Sequence, residues 1–347
     1  MSSWAVPEYS RNQVDKAGFV LCNPNSTPDQ LDWALDVINN WRSSHSYPLL
    51  NFRINLRRKV KSVEQNALVA QRIKRLESIN VKLNRRASMQ LSQMQDIGGC
   101  RAVVSSIRNV NRMVAAYKNS TFAHVFRSEK DYIANPKPDG YRSHHLIYEY
   151  KGLPNQNDAW DKLRIEVQLR TKMQHAWATA VEAVGIFTRQ ALKASMGDQD
   201  WLRLFSLLSS EIAAIEKTPL IPNTPSGEQE RHKEIIALDK KLRAVKTLDA
   251  YRATVKWSET AKELKRSKYF LLRYNYEQNR VFVNGYRQQE SEKANADYTR
   301  LETAAKDGSE NVVLVTVNSV KALRKAFPNY FLDTDELTAL LRKVLKK

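Results

Sequence analysis

The chain has 347 residues, 42% of them apolar, enough for two domains each with its own core. No apolar run of about 18 residues is present, so no transmembrane helix is expected, and two cysteines, Cys22 and Cys100, make neither a disulfide framework nor a zinc pattern. The net charge of +19 suggests a polyanionic partner, nucleotide phosphates or nucleic acid, the alternative being a basic surface kept for solubility. That charge is concentrated: residues 53–86 hold 11 Lys and Arg against Glu64 and Glu77. The opening MSSWAVPEYSRNQ has no apolar signal core, so the expected compartment is the cytoplasm.

Residues 29–42, after Pro28, place Leu31, Ala34, Leu35 and Ile38 at helical spacing. The next stretch, NFRINLRRKVKSVEQ, fits a strand or a basic helix equally well. Residues 66–84 carry Leu68, Val69, Ile73, Leu76, Ile79 and Leu83, which predicts another helix. Strands are expected at 100–105 and 122–126, with a helix at 109–119 between them. In NPKPDGYRSHHLIYEY (135–150), Pro136, Pro138 and Gly140 mark a turn. A strand follows, with His145, Ile147 and Glu149 on one side and Leu146, Tyr148 and Tyr150 on the other. LRIEVQL (163–169) is an alternating strand, and 172–195 a long helix. This order implies one mixed sheet covered by helices.

The stretch TPLIPNTPSG (218–227) is the strongest boundary signal. It divides an expected catalytic unit at 1–217 from a C-terminal unit at 228–347, a candidate regulatory one. The latter reads as a charged helical segment over 228–267, a hairpin at 269–276 and 280–286, a helix over about 288–306 and a buried strand at 312–317. Helices at about 319–327 and 333–346 complete a small ββαβα module.

Three groups carry chemistry. Arg72, Lys74, Ser78, Lys82 and Arg85 recur on the expected helix or its lead-in, with Ser78 and Lys82 one turn apart. Such a set can cradle a triphosphate, or be a solvated basic face. In DIGGCRAVV, Asp96 precedes a buried strand, Gly98 and Gly99 allow close backbone approach, and Arg101 needs a partner. The alternative is an ordinary turn with a surface arginine. In IEVQLRT, Glu166, Gln168 and Arg170 share one strand face. A half-exposed strand would look the same; the functional alternative is that Asp96 and Glu166 together hold Mg²⁺, which takes one or two carboxylates plus phosphate oxygens. No phosphate-loop, dinucleotide or zinc-protease motif competes.

In their order, the pieces R72-I-K74…S78…K82, D96-I-G-G-C-R101, K130-D-Y-I-A-N-P-K137-P-D-G-Y141-R-S-H-H145 and E166-V-Q168-L-R-T resemble the RelA/SpoT synthetase family. The resemblance covers roughly residues 50–195. It implies a nucleotidyltransferase-like mixed sheet flanked by helices and a Mg²⁺-dependent pyrophosphokinase that moves the pyrophosphoryl group of ATP to a ribose 3′-hydroxyl. It also implies roles. Arg72, Lys74, Ser78, Lys82 and Arg101 bind ATP, and Asp96 and Glu166 bind the metal and act in catalysis. Lys137, Tyr141, His145 and Gln168 line the acceptor site, with Tyr141 stacking on the base. His175 belongs with the acceptor group, at a position where small synthetases often have Asn or Asp. His144 stands where the family usually has an apolar or aromatic residue.

The chain lacks the family's hydrolase His-Asp pair, as a small synthetase-only member would. The leading acceptor is GDP or GTP, giving (p)ppGpp. The alternative is a toxin that modifies the tRNA 3′ end or an adenine nucleotide. A third possibility is an inactive nucleotide- or RNA-binding sensor. No membrane partner is expected, and oligomer formation is open.

Overall fold

The computed structural model describes residues 4–346 apart from 87, 153–157, 189–191, 193–196, 255, 259–263, 265–266, 279, 306–309, 318–319 and 332–333. Three helices open the chain: α1 (Arg11–Cys22), α2 (Pro28–Ser44) and α3 (Ser46–Val63). Capping boxes start the first two, Ser10 with Gln13 and Thr27 with Gln30. The ambiguous basic stretch is helix as far as Val63. Phe52, Leu56 and Val60 bury one face of α3 in the core, while Arg57, Arg58 and Lys61 stay outside.

Residues 66–84 are not one helix, contrary to their spacing. Leu68–Ile73 is strand β1, and only Leu76–Arg85 is helix, α4. β1 runs between two partner strands, and its two faces are both buried: Val69 and Ile73 enter one core, Ala70 another. A strand that buries apolar residues on both faces loses its alternation and mimics helical spacing.

β2 (Gly98–Val104) and α5 (Ile107–Lys118) follow as expected. The next strand, β3 (Val125–Asp131), starts later than FAHVF predicts. Phe122 and His124 pack instead with Phe52 as an aromatic cluster. The sheet edge falls to the charged residues after them, which a free edge favours. β4 (His144–Glu149), β5 (Arg164–Thr171) and α6 (Lys172–Thr188) come next; the end of the expected 172–195 helix falls largely outside the described residues. α7 (Gln199–Glu216), capped by Asp198, had no counterpart in the sequence reading.

The Pro-rich stretch 218–227 turns the chain into α8 (Glu228–Leu242) and α9 (Ala244–Thr254). The 228–267 segment is not helical throughout, because β6 (Lys256–Ser258) interrupts it. The expected small module follows: β7 (Tyr269–Asn275), β8 (Arg280–Tyr286), α10 (Ser291–Ala304), β9 (Glu310–Thr316), α11 (Val320–Ala326) and α12 (Asp335–Leu345). Its strands do not form a sheet of their own. One nine-stranded sheet runs β3-β4-β5-β2-β1-β9-β7-β8-β6, joined where β9 pairs antiparallel with β1 through Gln71↔Thr316 and Arg72↔Val315. The architecture is therefore the expected mixed α/β sheet flanked by helices. Among the described residues no helix is long and apolar enough to cross a membrane.

Register assembles the site. Gly99 pairs with Arg72 on one side and Glu166 on the other, Arg101 pairs with Gln168, and Gln168 pairs with His145. The alternate residues Cys100, Ala102, Leu146, Val167 and Leu169 enter the opposite, apolar core. Since side chains alternate along strands, Arg72, Arg101, His145, Glu166, Gln168 and Arg170 share one face.

Candidate active site

Asp96 ends the turn before β2 and accepts from two lysines. Lys74 Nζ lies 2.6 Å from Oδ2, and Lys82 Nζ 2.7 Å from Oδ1. Burial opposes the charge on Asp96, but the two ammonium groups outweigh it and hold the carboxyl well below its usual range. Lys74 is itself buried, and burial lowers its pKa despite Asp96. Ser78 is half-buried on α4, one turn before Lys82.

A second node forms around Glu166. Its Oε1 lies 2.7 Å from His145 Nδ1, and its Oε2 accepts from Gln168 Nε2 at 2.5 Å. An ionised carboxylate only accepts, so His145 Nδ1 carries a proton. The other ring nitrogen, Nε2, lies 2.9 Å from the Tyr141 hydroxyl. Burial raises the Glu166 pKa, but His145 and Gln168 together lower it below the ordinary value. The Tyr141 hydroxyl is pushed up to about 12, chiefly by burial.

Tyr132, Tyr141 and His145 stand edge-on to one another, with centroids 5.2–5.8 Å apart. Lys137 Nζ sits 4.3 Å from the Tyr132 ring centre and 5.3 Å from that of Tyr141. Four of the five residues expected at the acceptor site, Lys137, Tyr141, His145 and Gln168, thus meet around Glu166. His144 does not join them. Strand alternation turns it to the other face, where Nε2 is 2.9 Å from Glu129 and Nδ1 3.4 Å from Asp131.

Arginines fill the space beside these nodes. Burial lowers the pKa of Arg101 strongly, and the neighbouring charges of Arg170 and Arg72 lower it further, with Glu182 as counter-charge. The Nε atoms of Arg101 and Arg170 are buried without a hydrogen-bond partner. Three guanidiniums crowded together with orphaned donors fit a polyphosphate. Arg101 Nη2 donates to the Ala326 carbonyl at 2.5 Å, and its guanidinium lies 5.4 Å from the Phe327 ring centre. His175, on α6, lies 3.1 Å from the carbonyl of the preceding residue, Lys325. The fold therefore joins His175 to the surroundings of Arg101 rather than to the His145 cluster.

The carboxylates of Asp96 and Glu166 act on each other electrostatically. Among the described residues no cluster of three His, Cys, Asp or Glu could hold a metal. Two hard carboxylates with phosphate oxygens completing the shell suit Mg²⁺ and would leave a zinc ion short of ligands.

The alternation in E-V-Q-L-R-T placed Arg170 on the face of Glu166 and Gln168 but gave it no role, and sequence reasoning passed over two further residues beside the site. Tyr132 sits in K-D-Y-I with no distinguishing spacing. Glu182 lies on α6, reaching the arginines only through the tertiary fold.

Residues 71–190 match the family described as "Region found in RelA / SpoT proteins". The matched stretch takes in the strands and helices that hold both carboxylate nodes. Over 117 residues it is 36% identical to the GTP pyrophosphokinase YjbM of Bacillus subtilis, covering 32% of this chain and 52% of that protein. YwaC of the same organism is 34% identical over 114 residues, 31% of this chain and 52% of the relative. The chain therefore spans about half the length of these curated relatives. Among solved structures, small alarmone synthetase 1 of Bacillus subtilis bound to its product pppGpp aligns with a TM-score of 0.42 at 22% identity, over 50% of this chain and 89% of that one.

Proposed function

We propose that this site transfers the pyrophosphoryl group of ATP to the ribose 3′-hydroxyl of GDP or GTP, releasing AMP. The observation that carries the proposal is the proximity of two carboxylate nodes, Asp96 of the turn before β2 with Lys74 and Lys82, and Glu166 of the sheet face with His145 and Gln168, beside three arginines. Lys74, Lys82, Arg72 and Arg101 take the ATP phosphates, with Ser78 alongside. The acceptor oxygen bonds to the β-phosphorus as the bond from that phosphorus to the α–β bridging oxygen breaks, and AMP leaves with the electron pair. The hydroxyl proton moves toward Glu166, which His145 and Gln168 orient. Asp96 and Glu166 would hold Mg²⁺, which supplies charge neutralisation at the phosphates. Positioning and electrostatics provide most of the acceleration in such a transfer. Tyr141 and Tyr132 flank the acceptor base, and Lys137 moves from their rings to the acceptor's phosphates.

A second acceptor, the tRNA 3′ end, is favoured by the charge. An excess of +19, dense over 53–86, exceeds what one nucleotide needs. The C-terminal unit also bears on the site. The carbonyls of Lys325 and Ala326 take His175 and Arg101, so ATP competes with α11 for Arg101, and the unit regulates through that contact.

The test is acceptor choice. Full-length protein is incubated with ATP labelled in the γ-phosphate and with GDP, GTP or deacylated tRNA. Label in GDP or GTP supports the first acceptor and label in tRNA the second. No transfer to any of them, with and without residues 320–347, overturns both.

A further inference from the structure

Helix α4 carries Ser78 and Lys82 but starts without a cap of its own. Its N-cap residue is Arg75, a type that caps poorly, and the Arg75 side chain makes no cap bond. The Leu76 amide instead donates to Glu302 Oε1 at 2.8 Å, from α10, 226 residues away. Glu302 Oε2 pairs with Arg42 Nη1 at 2.7 Å, and Arg42 Nη2 donates to the Tyr298 hydroxyl at 2.6 Å. That hydroxyl donates to Glu302 Oε1 at 3.0 Å, closing the ring of bonds. Arg42 Nε then donates to the Lys74 carbonyl at 2.9 Å.

One ion pair thus holds the backbone on both sides of Arg75. Two further groups of this segment are fixed too. The Lys74 amide donates to the Ile97 carbonyl at 2.8 Å, next to Asp96, and Arg75 Nη1 donates to Asn311 Oδ1 on β9 at 2.5 Å. The pair is deep: the side chains of Arg42 and Glu302 are 3% and 12% exposed. Burying two charges is costly, and an apolar pair of the same volume often stabilises a fold as well or better. An apolar pair could not accept from the Leu76 amide or donate to the Lys74 carbonyl.

We infer that Glu302 is a positioning residue of the donor site: with Arg42 and Tyr298 it fixes Lys74–Leu76, and so aims Lys74 and Lys82 at Asp96 and the ATP phosphates. The inference rests on the ATP-donor reading above. It makes α10 and β9 working parts of the donor site, although they lie outside residues 71–190.

The experiment measures ATP KM, acceptor KM and kcat for full-length Glu302→Ala, Glu302→Gln and Tyr298→Phe, with thermal melts on each. Glu302→Ala raises the ATP KM about tenfold and leaves the acceptor KM within about twofold. Glu302→Gln keeps an oxygen for the Leu76 amide and falls between the alanine variant and wild type. Should Glu302→Ala not fold, Tyr298→Phe removes a single hydroxyl and raises the ATP KM about threefold. A folded Glu302→Ala with unchanged ATP KM overturns the inference, as does an equal rise in both KM values, which a general loosening would give. Wild-type protein that neither binds nor uses ATP brings down the donor reading and this inference with it. Active wild type with insensitive variants brings down this inference alone.

Discussion

Glu166 Oε1 lies 2.7 Å from His145 Nδ1. This contact ties the proposed metal side of the site to the proposed acceptor side, because the same imidazole reaches the Tyr141 hydroxyl at 2.9 Å. His145 lowers the Glu166 pKa, so its removal raises that pKa. For His145→Ala, kcat/KM for the acceptor falls about 10- to 100-fold. The acid limb of its pH profile also moves to higher pH, since Glu166 then needs a higher pH to ionise. A pH–rate profile checks this, and an unmoved acid limb would separate His145 from the Glu166 charge.

Asp96 gives a stability prediction with a defined sign. Its pKa is depressed in the folded protein, so its charge stabilises the fold above the unfolded-state value of about 3.9, and that contribution is lost as the pH falls toward the folded value. Asp96→Asn therefore lowers the melting temperature at pH 7, and the gap to wild type narrows below about pH 4. The same variant loses transfer about 100-fold or more. Melts across pH 2–7 test the first part, and a constant gap would contradict it.

Tyr141→Ala abolishes acceptor use and spares ATP binding, while Tyr141→Phe keeps the ring and loses only the hydroxyl contact to His145. Acceptor KM and ATP affinity, measured separately, distinguish the two. Retained transfer in the alanine variant would refute the stacking role.

Arg142, in the same GYRSHH run, is a packing residue. It is 2% exposed, and its guanidinium donates to the carbonyls of Ile133 and Pro219 at 3.1 and 2.8 Å and to the Thr218 hydroxyl at 2.5 Å. It thereby staples the Pro-rich stretch to the loop between β3 and β4. Arg142→Ala leaves buried carbonyls without a donor and destabilises the protein by about 2–4 kcal/mol. Denaturant unfolding measures this, and a loss below about 0.5 kcal/mol would contradict the role.

Local pattern revealed the strand after the Pro136–Gly140 turn well. Leu146, Tyr148 and Tyr150 enter the core while His145 faces the site, as the alternation in HHLIYEY predicted. It failed where burial erased alternation, as in β1, and where an aromatic cluster took residues that read as strand, as with Phe122 and His124. It could not reveal that β9 joins β1, that Ala326 occupies Arg101, or that Glu302 caps α4, since each contact links residues more than 220 positions apart. No period within a window of sequence carries such pairings. Four ordered motifs carried the family resemblance, but only the fold brings together Arg170, Arg72 and Arg101.

The central claim is pyrophosphoryl rather than phosphoryl transfer, and the nucleotide product decides it. With ATP and GDP supplied to the full chain, the account predicts one AMP formed for every labelled acceptor. ADP in place of AMP, or AMP formed without a modified acceptor, would contradict it.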